Sequence, residues 1–348
     1  MKQRLLSADN KNKVTWRIIN ELTGDKKSTQ RISPSGSLTN NANLFNNFFI
    51  DFTKNLRNTL PFDFDSSIPM NPKSIFLKPV TLNELKSIGE QLKNKSSAGL
   101  DEIPVSLLKK CLHLVADPLL DIINTSLTEG VYPQGLKDSK VIPIFKKGCS
   151  NDLQNYRPIS ILSSFSKIFE KVMYDRILHF FSSQNLLAAF QHGFVKNKSV
   201  DTALFEFVTS ILDAFEAGNL ASGLFLDLSR AFDCVDHGGL LLKLSRYGIR
   251  GSAHSWMRSY ISGRHQTVIL SDSAGTIKSN RREICLGVPQ GSILGPLLFI
   301  IFINDLRLVT DALSSTLINY ADDTNILIKE KSLSTLADIC GLQFLAAG

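Results

Sequence analysis

Long apolar runs, paired cysteines and clustered histidines are all missing from this 348-residue chain. The most apolar stretch, Ile293 to Ile303, contains Gly295 and Pro296 and stops at Asn304-Asp305. It falls far short of the roughly 20 residues a membrane-spanning helix needs, so it reads as a buried helix. Residues 1–13 hold no apolar segment of signal-peptide length, and a soluble intracellular protein, cytoplasmic or nuclear, is expected. Cys111, Cys149, Cys234, Cys285 and Cys340 are scattered without paired spacing, which argues against a disulfide framework and a zinc site. The six histidines show no ligand spacing either, and no internal repeat is visible. Gly287, Gly291 and Gly295 are followed by no Gly-Lys-Ser/Thr, which excludes a phosphate-cradling P-loop.

What is present is an ordinary globular mix, 43% hydrophobic and 20% charged, enough for one large domain or two to three subdomains with real cores. Lys and Arg outnumber Asp and Glu by 39 to 32, and the net charge of +7 suits a polyanionic partner without identifying one.

Residues 1–75 are rich in Asn, Ser and Thr, with apolar islands around Trp16-Ile18-Ile19-Leu22 and Leu44-Phe45-Phe48-Phe49-Phe52. They read as a loosely packed extension with two short helices. From Leu82 the pattern sharpens. Leu85, Ile88 and Leu92 share a helix face that Ser96 to Gly99 ends, and helices are expected at about 105–115 and 118–127, with Asp117-Pro118 as N-cap and first turn. Lys140 to Phe145 is strand-like, and helices follow at about 165–181 and 200–215, the second with Leu204, Phe207, Val208, Ile211, Leu212 and Phe215 on one stripe. Beyond Gly218 come a short buried strand ending near Asp227, a helix over 237–247, strands over 266–270 and 276–285, a helix over 292–308, and strands over 317–320 and 324–328. That order is what a helix-backed antiparallel sheet needs.

Two acidic positions stand out. Asp227 interrupts Leu224-Phe225-Leu226, and Asp322-Asp323 lies between two apolar strands. Singly, Asp227 also reads as a cap for the following helix and Asp322-Asp323 as a hairpin turn. If the strands are neighbours in one sheet, Asp227 and Asp322 converge as hard oxygen ligands for Mg²⁺, and the cation offsets the cost of burying them.

Between these acids lie the segments that carry a resemblance. Leu226-Asp227-Leu228-Ser229-Arg230-Ala231-Phe232-Asp233 resembles motif A of reverse transcriptases, Gly287-Val288-Pro289-Gln290-Gly291-Ser292 motif B, and Tyr320-Ala321-Asp322-Asp323 motif C. Ser97-Ala98-Gly99-Leu100-Asp101, Asn155-Tyr156-Arg157-Pro158-Ile159-Ser160 and Gln191-His192-Gly193-Phe194 extend the likeness to non-LTR, LINE-like and particularly Jockey-like elements, in the family's order over residues 80 to 330. The resemblance implies an α+β, right-hand polymerase with helical fingers and a ferredoxin-like palm. Its parts would be an extension (1–75), fingers with the first palm helix (76–222), a palm (223–330) and a tail in place of a thumb (331–348).

By the same resemblance, Asp227 and Asp322 would bind two Mg²⁺ ions, with Mn²⁺ as substitute, helped by Asp323 and the Leu228 backbone. Phe232 would be the steric gate that excludes a 2′-hydroxyl; as residues alone it reads rather as a core phenylalanine at the start of a helix. Gln290 would touch nucleotide or template, and Gly291 would let the backbone approach the duplex. Arg157 would grip the triphosphate through its planar fork. Lys146 is favoured over Lys140 and Lys147 as its companion, all three also reading as solvated surface. Lys196 and Lys198 would meet template phosphates, with Ser97 and Gly99 in a template-contacting segment. His237 is given no chemistry.

The expected reaction is DNA synthesis on an RNA or DNA template with primer, using dNTPs, with element RNA as a partner. The 348 residues match neither the family's endonuclease nor its thumb. A truncated or degenerate element product that folds and binds nucleic acid without polymerising is therefore the alternative. A signalling cyclase shares the palm core, but the Pro-Gln-Gly and Tyr-Arg-Pro-Ile-Ser segments argue against it.

Overall fold

The computed structural model describes residues 38–59, 68–228, 230–272, 275–306 and 315–347. Its helices are α1 (Leu38–Thr59), α2 (Leu82–Gln91), α3 (Val105–Glu129), α4 (Ser164–Ser183), α5 (Val200–Glu216), α6 (His237–Tyr247), α7 (Ser252–Ile261), α8 (Leu294–Phe302) and α9 (Leu333–Ala347). Its strands are β1 (Asp138–Phe145), β2 (Tyr156–Ile161), β3 (Leu220–Asp227), β4 (Arg264–Asp272), β5 (Gly275–Lys278), β6 (Arg282–Ile284), β7 (Ser315–Tyr320) and β8 (Asp323–Glu330). The architecture is α+β, as the motifs imply.

Two sheets organise the chain. β8 lies between β3 and β7 in an antiparallel three-stranded sheet on which α5 and α9 pack. In the other sheet β1 lies between antiparallel β2 and parallel β4, and β5 and β6 both pair with β4. The hairpin over 264–284 was expected to accompany the palm strands, but it extends the sheet of β1 and β2 instead. The register explains why: Val141 pairs with Val268, both fully buried, and Phe45, Phe49 and Tyr156 close over them. The main core lies between α2, α3, α4, α6, α7 and α8, where Tyr132 meets Trp256 and Tyr260 edge-on at 5.2 and 5.1 Å.

Four local expectations change. The island around Phe45 is not loosely packed: α1 is a 22-residue helix docked on β4 and β5, while the island around Trp16 lies outside the described residues. The two helices expected on either side of Asp117-Pro118 are one helix, α3. Proline removes one i→i−4 bond, to the carbonyl of Leu114, and that turn faces water with Leu114 71% exposed. The buried stripe Leu108, Leu112, Ala116, Leu119, Ile123 and Leu127 runs unbroken through it and holds the helix together.

The strand ending at Asp227 is not buried. β3 is an edge strand whose Gly223, Phe225 and Asp227 are exposed. The stripe on α5 is only partly covered: Ala203 and Ala214 face inward, while Leu204, Val208, Leu212 and Phe215 are exposed.

Candidate active site

β3 and β8 pair along their whole length, from Leu220↔Glu330 to Asp227↔Asp323. On the other side of β8, Tyr320 pairs with Asp323, so Ala321-Asp322 is a two-residue hairpin turn. Strands far apart in sequence therefore bring Asp227, Asp322 and Asp323 to one end of one sheet. Directly opposed antiparallel residues have Cβ atoms about 5 Å apart, and like charges so placed repel. Asp227 and Asp323 are exposed and Asp322 is half-buried. Desolvation is thus not what sets these acids apart, contrary to the expectation from a buried strand; their convergence at one end of the sheet is.

Among the described residues, none of the three carboxylates has a hydrogen-bond or ion-pair partner. No group of three or more His, Cys, Asp or Glu side chains closes into a metal cluster there either. The donor set is two facing carboxylates, a third beside them, and the backbone at exposed Leu228. Hard anionic oxygens without a protein cation suit a divalent metal.

The loop after β3 is bonded closely to the turn before α8. Val288 N–H donates to Phe232 O and Gly287 N–H to Val235 O, both at 2.8 Å. Gly287 has φ +82, and a Cβ there would stand 2.6 Å from Asp233 O, so only glycine allows this approach. Gln290 Nε2 donates to Asp233 Oδ1 at 2.8 Å. Burial pushes the Asp233 carboxyl up to about 6, against the opposing pull of Gln290 and Arg230.

Phe232 stacks on Phe299 with centroids 4.4 Å apart and meets Phe194 edge-on at 6.0 Å, which fixes its ring. Glu170, fully buried, accepts from Ile293 N–H at 2.6 Å and so holds the start of α8. His237, whose imidazole burial makes harder to protonate, bonds Gly287 O at 2.8 Å.

The other expected residues are spread around this centre. Arg157 is exposed on β2, directly across from Ile144. Lys140 shares the Arg157 face by strand alternation, whereas Lys146 is exposed just past the end of β1, its N–H bonded to Asn155 O. Gly291 lies against Ser160 O, and Ser160 N–H donates to Gln290 O, so β2 is tied to the Pro-Gln-Gly turn. Gly99 packs on the backbone of Leu162 and Ser163, and Ser97 is exposed before it. Lys196 is exposed, while Lys198 Nζ donates to Ala189 O. Asp233 and Gln191 sit inside recognised segments yet had no assigned role; their partners lie 57 and 130 residues away, beyond any local pattern.

The sheet ends in facing aspartates and is bonded through its adjoining loop to a Val-Pro-Gln-Gly turn, an α+β arrangement consistent with a polymerase palm. Residues 144–342 match the family model of reverse transcriptase (RNA-dependent DNA polymerase), and the chain belongs to that family. It is 34% identical over 280 residues to the RNA-directed DNA polymerase from mobile element jockey of Drosophila melanogaster, which covers 78% of this chain and 29% of that protein. It is 33% identical over 271 residues to the jockey polymerase of Drosophila funebris, 75% of this chain and 28% of that one. The probable RNA-directed DNA polymerase from transposon BS is 30% identical over 266 residues, 73% and 28% respectively. The chain thus spans less than a third of the relatives it matches, and the Jockey-like, non-LTR likeness extends over most of it. Reverse transcriptases use divalent metals and act on a nucleic-acid template with deoxynucleotides. No helix among the described residues is long and apolar enough to cross a membrane.

Proposed function

We propose that this chain carries the fingers and palm of a non-LTR retrotransposon RNA-directed DNA polymerase, acting on a primed RNA or DNA template, with element RNA as its natural partner. The observation that carries the reading is the pairing of Asp227 with Asp323 next to the turn that holds Asp322. Asp227 and Asp322, with Asp323 and the Leu228 backbone in support, would hold two Mg²⁺ ions, or Mn²⁺ in their place. When bound, such ions activate the primer 3′-hydroxyl and neutralise charge on the departing pyrophosphate.

The remaining contributions come from position. The Phe232 ring, held by Phe299 and Phe194, would clash with a 2′-hydroxyl and so select dNTPs. Arg157 is free on its exposed face to grip triphosphate oxygens bidentately, with a lysine on the same ribbon, Lys140 or Lys146, as companion. Gln290 is anchored on Asp233, so it orients the insertion site through that bond. Gly291 keeps the turn thin beside the duplex. Template phosphates would meet Lys196 and the segment that holds exposed Ser97 and, packed beneath it, buried Gly99. Lys198 would add less, because its ammonium already serves Ala189 O. Holding reactants in line in this way supplies much of the rate of phosphoryl transfer.

Primer extension with Mg²⁺, dNTPs and a primed RNA, run beside Asp322→Asn, tests the reading. Incorporation should fall by about a hundredfold or more in the variant while duplex binding persists. Equal incorporation by both proteins would remove Asp322 from the metal site. Duplex binding without incorporation by the unaltered chain would favour an element product that folds and does not polymerise.

A further inference from the structure

The turn that presents Asp322 is strained and buried on its other side. Ala321 has φ +58, a left-handed conformation that a residue with a Cβ adopts only at a cost, and it is 6% exposed. Its N–H and C=O point out of a two-residue hairpin, so strand pairing cannot satisfy them, and burial requires other partners.

Both partners are one side chain. Gln191 Oε1 accepts from Ala321 N–H at 3.0 Å, and its Nε2 lies 3.4 Å from Ala321 O. The same Oε1 accepts from Gly193 N–H at 2.7 Å. Two N–H groups aimed at one atom identify it as the oxygen, so the amide orientation is fixed by its surroundings.

The segment around Gln191 is built to deliver it there. Asn319 N–H donates to Phe190 O at 2.9 Å and His192 N–H to Asn319 O at 2.8 Å, so residues 190–192 run parallel beside β7 up to its turn. Gly193 then lies flat on the turn: a Cβ there would stand 2.2 Å from Ala321 N. His192 anchors the segment to α5 through Thr202 Oγ1 at 2.8 Å and Glu206 Oε2 at 3.0 Å. Gln191 itself is buried, 4% exposed.

We infer that Gln191 is a positioning residue for the polymerase reaction. Its amide holds the Ala321 peptide in the left-handed turn and thereby fixes the pose in which Asp322 meets its metal. Gly193 acts with it as the surface on which the turn rests. The inference depends on Asp322 being a metal ligand, as proposed above.

The test compares Mn²⁺ binding, followed by electron paramagnetic resonance, in the unaltered chain, Asp322→Asn, Gln191→Leu and Gln191→Glu. Steady-state primer extension and amide exchange at Ala321 are measured in parallel. Removing a partner that orients a ligand typically costs 10- to 100-fold, so Gln191→Leu should weaken Mn²⁺ by about tenfold or more. Its kcat should fall by a similar factor, while KM for primer–template stays within about twofold. Exchange of the Ala321 amide should quicken. Gln191→Glu keeps the acceptor for Ala321 N–H and Gly193 N–H, loses the long donor contact and buries an acid, which at low pH is neutral and can donate again. It should fold like the unaltered chain and fall between that chain and Gln191→Leu, which separates positioning from misfolding.

A folded Gln191→Leu with unchanged Mn²⁺ affinity and kcat would overturn the role of Gln191 while leaving Asp322 in place. Mn²⁺ binding that survives Asp322→Asn would instead overturn the metal-site reading, and the inference would go with it.

Discussion

Gln290 Nε2 donates to Asp233 Oδ1 at 2.8 Å, joining the loop that follows β3 to the turn that opens α8. The other oxygen of Asp233 is buried without a partner among the described residues, and burial pushes its carboxyl from 3.8 to about 6. The sign follows from where the proton sits. Below pH 3.8 the group is neutral in both states. As pH rises through about 6 the unfolded chain has already ionised and the folded one resists, so stability is lost, by about 3 kcal/mol in all. Asp233→Asn keeps an oxygen for Gln290 and cannot ionise. Urea unfolding should show its stability relative to the unaltered chain improving between about pH 4 and pH 7. A flat difference across that range would mean Asp233 titrates normally in the fold.

Phe232 is fixed between Phe299 and Phe194 rather than free to swing away from a larger sugar. Phe232→Val should therefore raise kcat/KM for an rNTP relative to its dNTP by about tenfold or more. The competing outcome, an unchanged ratio with lower stability, would make Phe232 a packing residue only.

Glu170 accepts from Ile293 N–H at 2.6 Å, Tyr260 O–H at 3.0 Å and Ser166 O–H at 3.1 Å, all inside the core. Burial raises its carboxyl above its ordinary value, against these bonds and nearby Arg264. Glu170→Ala leaves three donors stranded and should cost about 3 kcal/mol in denaturant unfolding; Glu170→Gln should cost clearly less. Equal losses would show that volume, not bonding, matters there.

Pro118 lies inside α3 with its neighbouring turn exposed. Pro118→Ala restores a donor for the Leu114 carbonyl and should stabilise the fold by about 1 to 3 kcal/mol, offset in part by a freer unfolded chain. A lower melting temperature would show that the ring contributes packing the helix needs.

Much of the site was legible because it is written in local order. Asp227 closes one apolar strand, Asp322 and Asp323 open another, and the segments between them have a recognisable sequence. What escaped was decided at long range. Pro118 reads as a boundary because nothing local reveals that Leu112 and Ile123 bury against the same neighbours. The strands over 264–284 look like companions of β3, yet Val268 finds Val141 in the other sheet. An apolar stripe on α5 announces a packed face, but which part is covered depends on the sheet beneath it, and only Ala203 and Ala214 are small enough to lie close. Gln191 lies in a recognisable segment, but nothing in that segment reveals its partner, a turn 130 residues further on.

The uncovered part of α5 has a practical outcome for anyone handling this polypeptide. Leu204, Val208, Leu212 and Phe215 recur along one side of the helix, with Phe205 and, on β3, Phe225 exposed as well. Such an oily strip, once two molecules meet, favours sticking over staying dispersed. Concentrated samples should cloud or form mixed oligomers, and a mild detergent or a Leu204→Glu, Val208→Lys pair should keep them clear without touching the aspartates.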